Sequence, residues 1–324
     1  FNEVEEVNKI TSKWGIKNYS LQLTSKDLWN NFDNLFLTYD NLEFIPTCFP
    51  AYMVSKLASS HVKVAHAGIG GDEIFGGYPT YRATMLHEKI KNIKFILNIF
   101  RPFLKNLKAG DKYLDLNEKI RRFFNGLKFD LMESHFAWRG IFDLNDIKDL
   151  TNNINLFDPQ TTYLKKFYKN KLDSSMLGWA DLNTWQVDHS LPLWDKAGMA
   201  SSLEVRVPFI DHKLLNFLMK IPSKIRMQNL GSKNFLKKIL KSEMGEDFIS
   251  VPKKGFQVPI HSWLHEGNKN LIGDYLFSLP KELFPKSFLD KTLNDFVKNK
   301  GESTLKVWML ICLAGYINKH NIKL

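Results

Sequence analysis

Three short segments carry side chains able to do chemistry. The first, Val62–Tyr78, runs from a strand-like stretch into Gly68, Gly70 and Gly71 and then the acids Asp72 and Glu73. Glycines at a strand-to-helix turn leave backbone N–H groups bare for an anion, and the positive end of the helix dipole adds to them. Asp72 and Glu73, at the helix start, are placed to hold a magnesium ion whose other ligands are phosphate oxygens. The same spacing also describes a tight turn whose two acids only complement the dipole. It is not a dinucleotide fingerprint, because Glu73 stands at the third glycine position, and it is not a Walker A loop.

The second segment, Leu193–Asp211, alternates Leu203, Val205 and Val207 against Glu204 and Arg206. Glu204 and Arg206 therefore share one face, either as a local ion pair or as part of a site. The third is Val251-Pro252-Lys253-Lys254-Gly255-Phe256, a basic loop stiffened by proline and released by glycine. A lysine held there is suited to meet a phosphate as a point charge, although solvated lysine pairs are common. His261 and His265 are four apart, as zinc ligands on a helix would be. No glutamate follows His261 and no third ligand is evident, so zinc is set aside.

The elements that must position these segments follow from periodicity. Val4, Val7 and Ile10 repeat at helical spacing up to Gly15, and Tyr19–Leu23 alternates like a strand. Thr24/Ser25 predict a helix start, with Leu28, Phe32, Leu35 and Phe36 on one face. Pro46 and Pro50 read as breaks, Ala51–Ser59 as a helix and His61–Ala67 as a strand. This rhythm predicts an α/β fold with a parallel sheet in residues 1–84. Residues 85–324 read as mainly helical, with Met85–Leu107, Leu116–Phe129 and Tyr163–Leu172 at helical spacing and Thr151–Pro159 as a polar separator. Further helices are expected at Ser174–His189, stopped near Pro192, at Asp211–Lys220 with a Leu214, Leu215, Leu218 buried stripe, and at Ser232–Met244.

The chain has 324 residues, 44% of them hydrophobic and 24% charged, which excludes a disordered or collagen-like chain. Its net charge of +11 favours anionic partners such as nucleotides, or reflects a lysine-rich solvated surface. No nucleic-acid motif or aromatic-basic stacking platform accompanies that charge. The apolar stretch near Val307–Ile317 is too short for a membrane span and reads as a core helix. Cys48 and Cys312 cannot form a disulfide framework, so a reducing, cytoplasmic setting is expected. The chain opens on Phe1 with no leader pattern, which leads to the expectation that it is cut from something longer.

Together, Ala67–Tyr78, Asp195–Asp211 and Lys253–Trp263 resemble, in order and spacing, the synthetase domain of the glutamine-hydrolysing asparagine synthetases. The resemblance runs over essentially the whole chain. It implies an ATP-pyrophosphatase-type (adenine nucleotide alpha hydrolase-like) α/β fold with a large helical C-terminal part. It further implies an enzyme that adenylates the side-chain carboxylate of aspartate, releases pyrophosphate and lets glutamine-derived ammonia displace AMP. By that analogy Ala67, Gly68, Gly70, Gly71 and Lys253 bind ATP and pyrophosphate, and Asp72 ligates Mg2+. Lys253, Glu73 and Glu204 are the catalytic candidates. Glu73, Glu204 and Arg206 match family positions that the resemblance alone does not divide between site and scaffold. The expected partners are aspartate, ATP and ammonia, with room for a homodimer and without nucleic acid or membrane.

Three departures from the family pattern qualify the analogy. The Ser-Gly-Gly-x-Asp-Ser pyrophosphate loop and the glutaminase domain, with its terminal-cysteine nucleophile, are not in this sequence. The expectation is therefore the C-terminal fragment of a ligase, inactive alone. Ala67 and Ile69 replace the serine and the acidic residue of the phosphate turn. That change opens two alternatives: the same adenylation with another acceptor, or a catalytically silent relative acting as a binding module.

Overall fold

A computed structural model describes residues 4–40, 42, 44–99, 116–142, 144–151, 176–227, 233–246, 255–256, 258–266, 269–298 and 303–323. The chain divides into two compact units, one from Phe1–Gly77 with Gly178–Gly267 and one from Tyr78–Leu177 with Asn268–Leu324. Among the described residues only the first holds strands. β1 (Val64–His66) pairs parallel with β2 (Glu204–Arg206), in the register Val64↔Glu204, Ala65↔Val205, His66↔Arg206. This small parallel sheet in a mostly helical chain makes the fold α/β.

Local chemistry sets the first unit's helices. Thr24 caps Ser25–Asn30 reciprocally, accepting from the Asp27 N–H while the Asp27 carboxylate accepts from the Thr24 N–H at 2.9 Å. That bonding to Thr24 holds the Asp27 carboxyl below its ordinary range. Leu28, Phe32, Leu35 and Phe36 are all buried across this helix and the next, Phe32–Thr38. The helix expected at Ala51 starts three residues earlier and spans Cys48–Ser59, with Pro50 in its first turn. A first-turn proline has no hydrogen bond to lose there, so it starts a helix where a break was expected.

Two expectations need correction. Tyr19–Leu23 forms no ladder; Tyr19 instead stacks on His61 with ring centroids 3.8 Å apart, and Leu21 is exposed. Alternation marks a half-buried surface, but a strand also needs a neighbour to complete its hydrogen bonds. Nor does Pro192 stop its helix. Leu177–Asn183 leads into a π-turn at Gln186–Ser190, and Pro192 then sits in the first turn of Leu191–Met199. The widened turn absorbs the missing N–H of proline, and the chain stays helical.

Asp211 caps His212–Lys220, accepting from the Lys213 and Leu214 N–H groups. Leu218 is buried and Leu215 partly so, whereas Leu214 is 37% exposed, which narrows the expected stripe.

Among its described residues the second unit is helical. Pro79–Lys89 and Lys94–Ile99 replace one long helix, and Leu116–Gly126, Leu131–Ala137 and Leu144–Thr151 follow. Residues 100–107, 152–159 and 163–172 lie outside the described residues. Ser303–His320 is the expected core helix, burying Val307, Trp308, Ile311 and Cys312. No described helix is long and apolar enough to cross a membrane.

Candidate active site

The first two chemistry-bearing segments meet in the first unit. β1 and β2 lie side by side, and the Ala67 N–H donates to the Arg206 carbonyl at 2.8 Å where the strands end. Beyond that point the chain turns through Gly68–Gly70 into a short helix, Gly71–Phe75. Gly70 has φ +89°, and a β-carbon on it would stand 2.3 Å from Cγ2 of Ile210. Both facts require glycine there: the left-handed backbone and the close approach of the Pro208–Ile210 turn. The Gly71 N–H turns back to the Gly68 carbonyl at 3.4 Å. In this state the N–H groups of Ala67 and Gly71 thus serve the turn itself. At Gly68 no atom lies within 4 Å of where a β-carbon would be, so that edge of the turn is open.

The short helix is anchored on its apolar side. Ile74 and Phe75 are buried with Leu182 and Leu218, and Phe209, Ile210, Phe235 and Leu236 pack around them. The Phe75 ring meets Phe209 edge-on and Phe235 in a stack, both at 5.9 Å. Buried Arg226 donates through Nη1 to the Ile74 carbonyl and through Nε to the Ile221 carbonyl at 3.4 Å. A guanidinium spends its fixed fork well there, on carbonyls at a helix end.

The two adjacent acids differ in setting. Glu73 is 1% exposed, and its backbone carbonyl would be 2.3 Å from a β-carbon on Gly178, so the chain there lies close against Gly178. Asp72 is a quarter exposed and pairs with the Lys233 ammonium, Oδ1 to Nζ 3.1 Å. Lys233 has φ +51° and stands immediately before the helix Asn234–Met244. Glu204 and Arg206 form the ion pair open to them from sequence, Oε1 to Nε 2.8 Å, with both side chains more than half exposed. That carboxylate holds the Arg206 proton more tightly than usual.

Lys253 lies outside the described residues. Phe256, in the same segment, has its ring 5.3 Å from that of Trp194, next to Asp195 of the second segment. Trp263, at the end of the third segment, is buried and meets Phe49 edge-on at 6.0 Å. His261 and His265 lie ring to ring at 4.4 Å, and among the described residues no three His, Cys, Asp or Glu side chains gather as a metal group.

Sequence reasoning missed Lys233. It expected a helix from Ser232, which would make residue 233 an ordinary helical lysine. A lysine with a left-handed backbone has no sequence signal, since glycine and asparagine are the usual occupants. The assembled turn offers an open edge at Gly68, a half-buried acid and an ammonium beside it. That set suits a phosphate-bearing ligand.

Residues 1–317 match the family described as asparagine synthase. The chain is 26% identical over 332 residues to asparagine synthetase [glutamine-hydrolyzing] 1 of Bacillus subtilis, covering 96% of this chain and 49% of that protein. It is 23% identical to asparagine synthetase [glutamine-hydrolyzing] 3 of the same organism, covering 93% and 44%. It is also 23% identical to the protein named amidase chry2 of Gibberella zeae, covering 65% and 35%. The chain thus spans about half the length of the synthetase relatives or less.

Proposed function

The chain belongs to the asparagine synthase family, and from that premise we propose that it is the adenylating part of an ATP-dependent amide ligase. In this reading the side-chain carboxylate of aspartate is activated by ATP and then aminated by ammonia taken from glutamine. The turn at the carboxyl end of β1, with Asp72 and Lys233 beside it, is the observation that carries the proposal. Ligands of parallel sheets bind where strands end, and this turn stands where β1 and β2 end together. The domain is accordingly proposed to be of the ATP-pyrophosphatase type, and a reducing, cytoplasmic setting suits its two buried cysteines, neither of them in a disulfide.

Each step balances. A carboxylate oxygen of aspartate attacks the α-phosphorus of ATP, a P–O bond breaks and pyrophosphate leaves. Ammonia then attacks the acyl carbon, the C–O bond to AMP breaks, and the nitrogen loses a proton to give the amide. The protein contributes position and charge. The open edge at Gly68 leaves room for phosphate oxygens, with Ala67, Gly70 and Gly71 shaping the bend. Lys253 stabilises charge on the transferring phosphate, and its removal lowers turnover by roughly 10²–10³-fold, as loss of one preorganised donor does. Glu73 and Glu204 remain the acidic candidates, the first from within the turn and the second from the sheet.

Magnesium fits the residues present. It typically takes one or two carboxylates and fills its other positions with phosphate oxygens and water. Asp72 would supply such a carboxylate, partly exposed, and among the described residues no group of three His, Cys, Asp or Glu forms a cage. When bound, the ion neutralises polyphosphate charge.

A second reading keeps the adenylation and changes the acceptor. It rests on Ala67 and Ile69, which stand where the family pattern has a serine and an acid. One measurement separates the readings: pyrophosphate release from ATP by the protein as its organism makes it, with the carboxylate varied. Release that requires aspartate, followed by asparagine formation with glutamine, supports the ligase. Release driven by another acceptor selects the second reading. A protein that binds ATP but releases no pyrophosphate with any acceptor is the silent relative.

A further inference from the structure

The Asp72–Lys233 pair is built into the turn on both sides. On the Asp72 side, a β-carbon at Gly77 would lie 1.6 Å from Asp72 Oδ1 and 2.8 Å from Lys233 Cε, and one at Gly71 would lie 3.8 Å from Lys233 Nζ. The lane that the lysine occupies therefore depends on residue 77 lacking a side chain, whereas a β-carbon at residue 71 would meet Nζ only at ordinary contact distance. On the Lys233 side, the backbone takes a left-handed conformation that non-glycine residues rarely adopt. It is held there by its neighbours: the Lys237 N–H donates to the Lys233 carbonyl at 2.9 Å, and Phe235 stacks on Phe75 of the turn helix.

We propose that Lys233 is a positioning residue that keeps Asp72 closed to a bare divalent cation and releases it when a polyphosphate enters the turn. This rests on the reading of the turn as a polyphosphate seat. An ammonium 3.1 Å from Oδ1 stands where a magnesium ion would have to approach that oxygen at roughly 2.1 Å, and two cations cannot share that approach. Both side chains are only a quarter exposed, so water screens their interaction less than at an open surface. A metal ion arriving alone must displace the lysine without offering it another partner. A polyphosphate brings its own negative oxygens, so the ammonium exchanges one anion for another and the carboxylate becomes available. The consequence is an order of binding: the cation enters with the polyphosphate and not before it.

The test uses Mn2+ as the probe, with free Mn2+ read by electron paramagnetic resonance, on the wild-type protein, Lys233→Met, and Lys233→Met combined with Asp72→Asn. Lys233→Gly, which suits the left-handed backbone, serves as a second variant should methionine impair folding, and Lys233→Arg keeps the charge. Lys233→Met and Lys233→Gly are expected to take up Mn2+ alone roughly tenfold more tightly than wild type. Adding Asp72→Asn removes that gain, and Lys233→Arg behaves as wild type. Pyrophosphate raises Mn2+ uptake by wild type to the level of Lys233→Met. Equal affinity for Mn2+ alone in wild type and both uncharged variants overturns the proposal. Pyrophosphate that binds wild type by calorimetry yet leaves its Mn2+ uptake unchanged overturns the release step. Pyrophosphate that binds none of these proteins overturns the polyphosphate-seat reading itself, a result distinct from either.

Discussion

Asp72 leans over Gly77 so closely that a β-carbon on residue 77 would meet its Oδ1 at 1.6 Å. Gly77 has no left-handed backbone to defend, so the clash alone makes it a sensitive position. Gly77→Ala is expected to push Asp72 off Lys233 and, because the atoms it meets are the ends of flexible side chains, to cost only about 1 kcal/mol or less in urea unfolding. Gly68→Ala is the contrasting case: its β-carbon would meet nothing within 4 Å. Stability there should change by no more than about 0.5 kcal/mol, while ATP affinity by calorimetry falls if the ligand occupies that space.

Arg226 carries the far end of the turn helix. Arg226 is 2% exposed, and its guanidinium donates to the carbonyls of Ile74 and Ile221. Arg226→Met keeps most of the buried stem but leaves those carbonyls without their donor. A loss of about 2–3 kcal/mol in unfolding free energy is expected, the range for buried groups stripped of a charged partner. An unchanged urea midpoint would show that the guanidinium is dispensable to the turn.

How far the sequence reached can be judged from particular residues. The bend at Gly70 was readable because the glycine spacing allows few other local structures, and its positive φ is a local property. The cap at Asp211 and the buried face from Leu28 to Phe36 were readable for the same reason. What failed was non-local. Whether Tyr19–Leu23 pairs depends on a neighbouring strand, which its own alternation cannot supply. The Lys233–Asp72 pair joins residues 161 positions apart through a left-handed lysine, and neither the distance nor the backbone is encoded by residue type alone. The inward Glu73 and outward Asp72 are adjacent acids that only the packing of Gly178 and the position of Lys233 tell apart.

Asp211 gives a pH prediction with a definite sign. The backbone N–H of Leu214, then that of Lys213, hold its carboxyl below the ordinary value of 3.8 in the folded chain. A carboxyl depressed by folding stabilises the native state fully above its unfolded pKa and progressively less as pH falls through its folded one. The melting temperature of wild type should therefore exceed that of Asp211→Ala by a constant margin near neutrality. The margin should shrink as pH drops below about 4. A margin that grows on acidification would mean that the carboxylate does not act as the helix cap.

Glu204 and Arg206 provide the cleanest separation of scaffold from chemistry. Both side chains are more than half exposed, and they bond to each other at the end of a three-residue strand. Exposed pairs of this kind contribute little to stability, because water screens the charges and ordering two long side chains opposes them. Glu204→Gln and Arg206→Gln should therefore leave the melting temperature close to that of wild type. The strand itself is held by backbone bonds such as that from the Glu204 N–H to the Lys63 carbonyl at 2.9 Å, which neither change touches. Any loss of turnover then reports on the reaction and not on the fold. If Glu204 is catalytic, Glu204→Gln should lower kcat by about 10²-fold or more with little change in the KM for ATP. If the pair is scaffold alone, both variants should turn over at nearly the wild-type rate, and the acid of the reaction must be sought elsewhere, with Glu73 first in line.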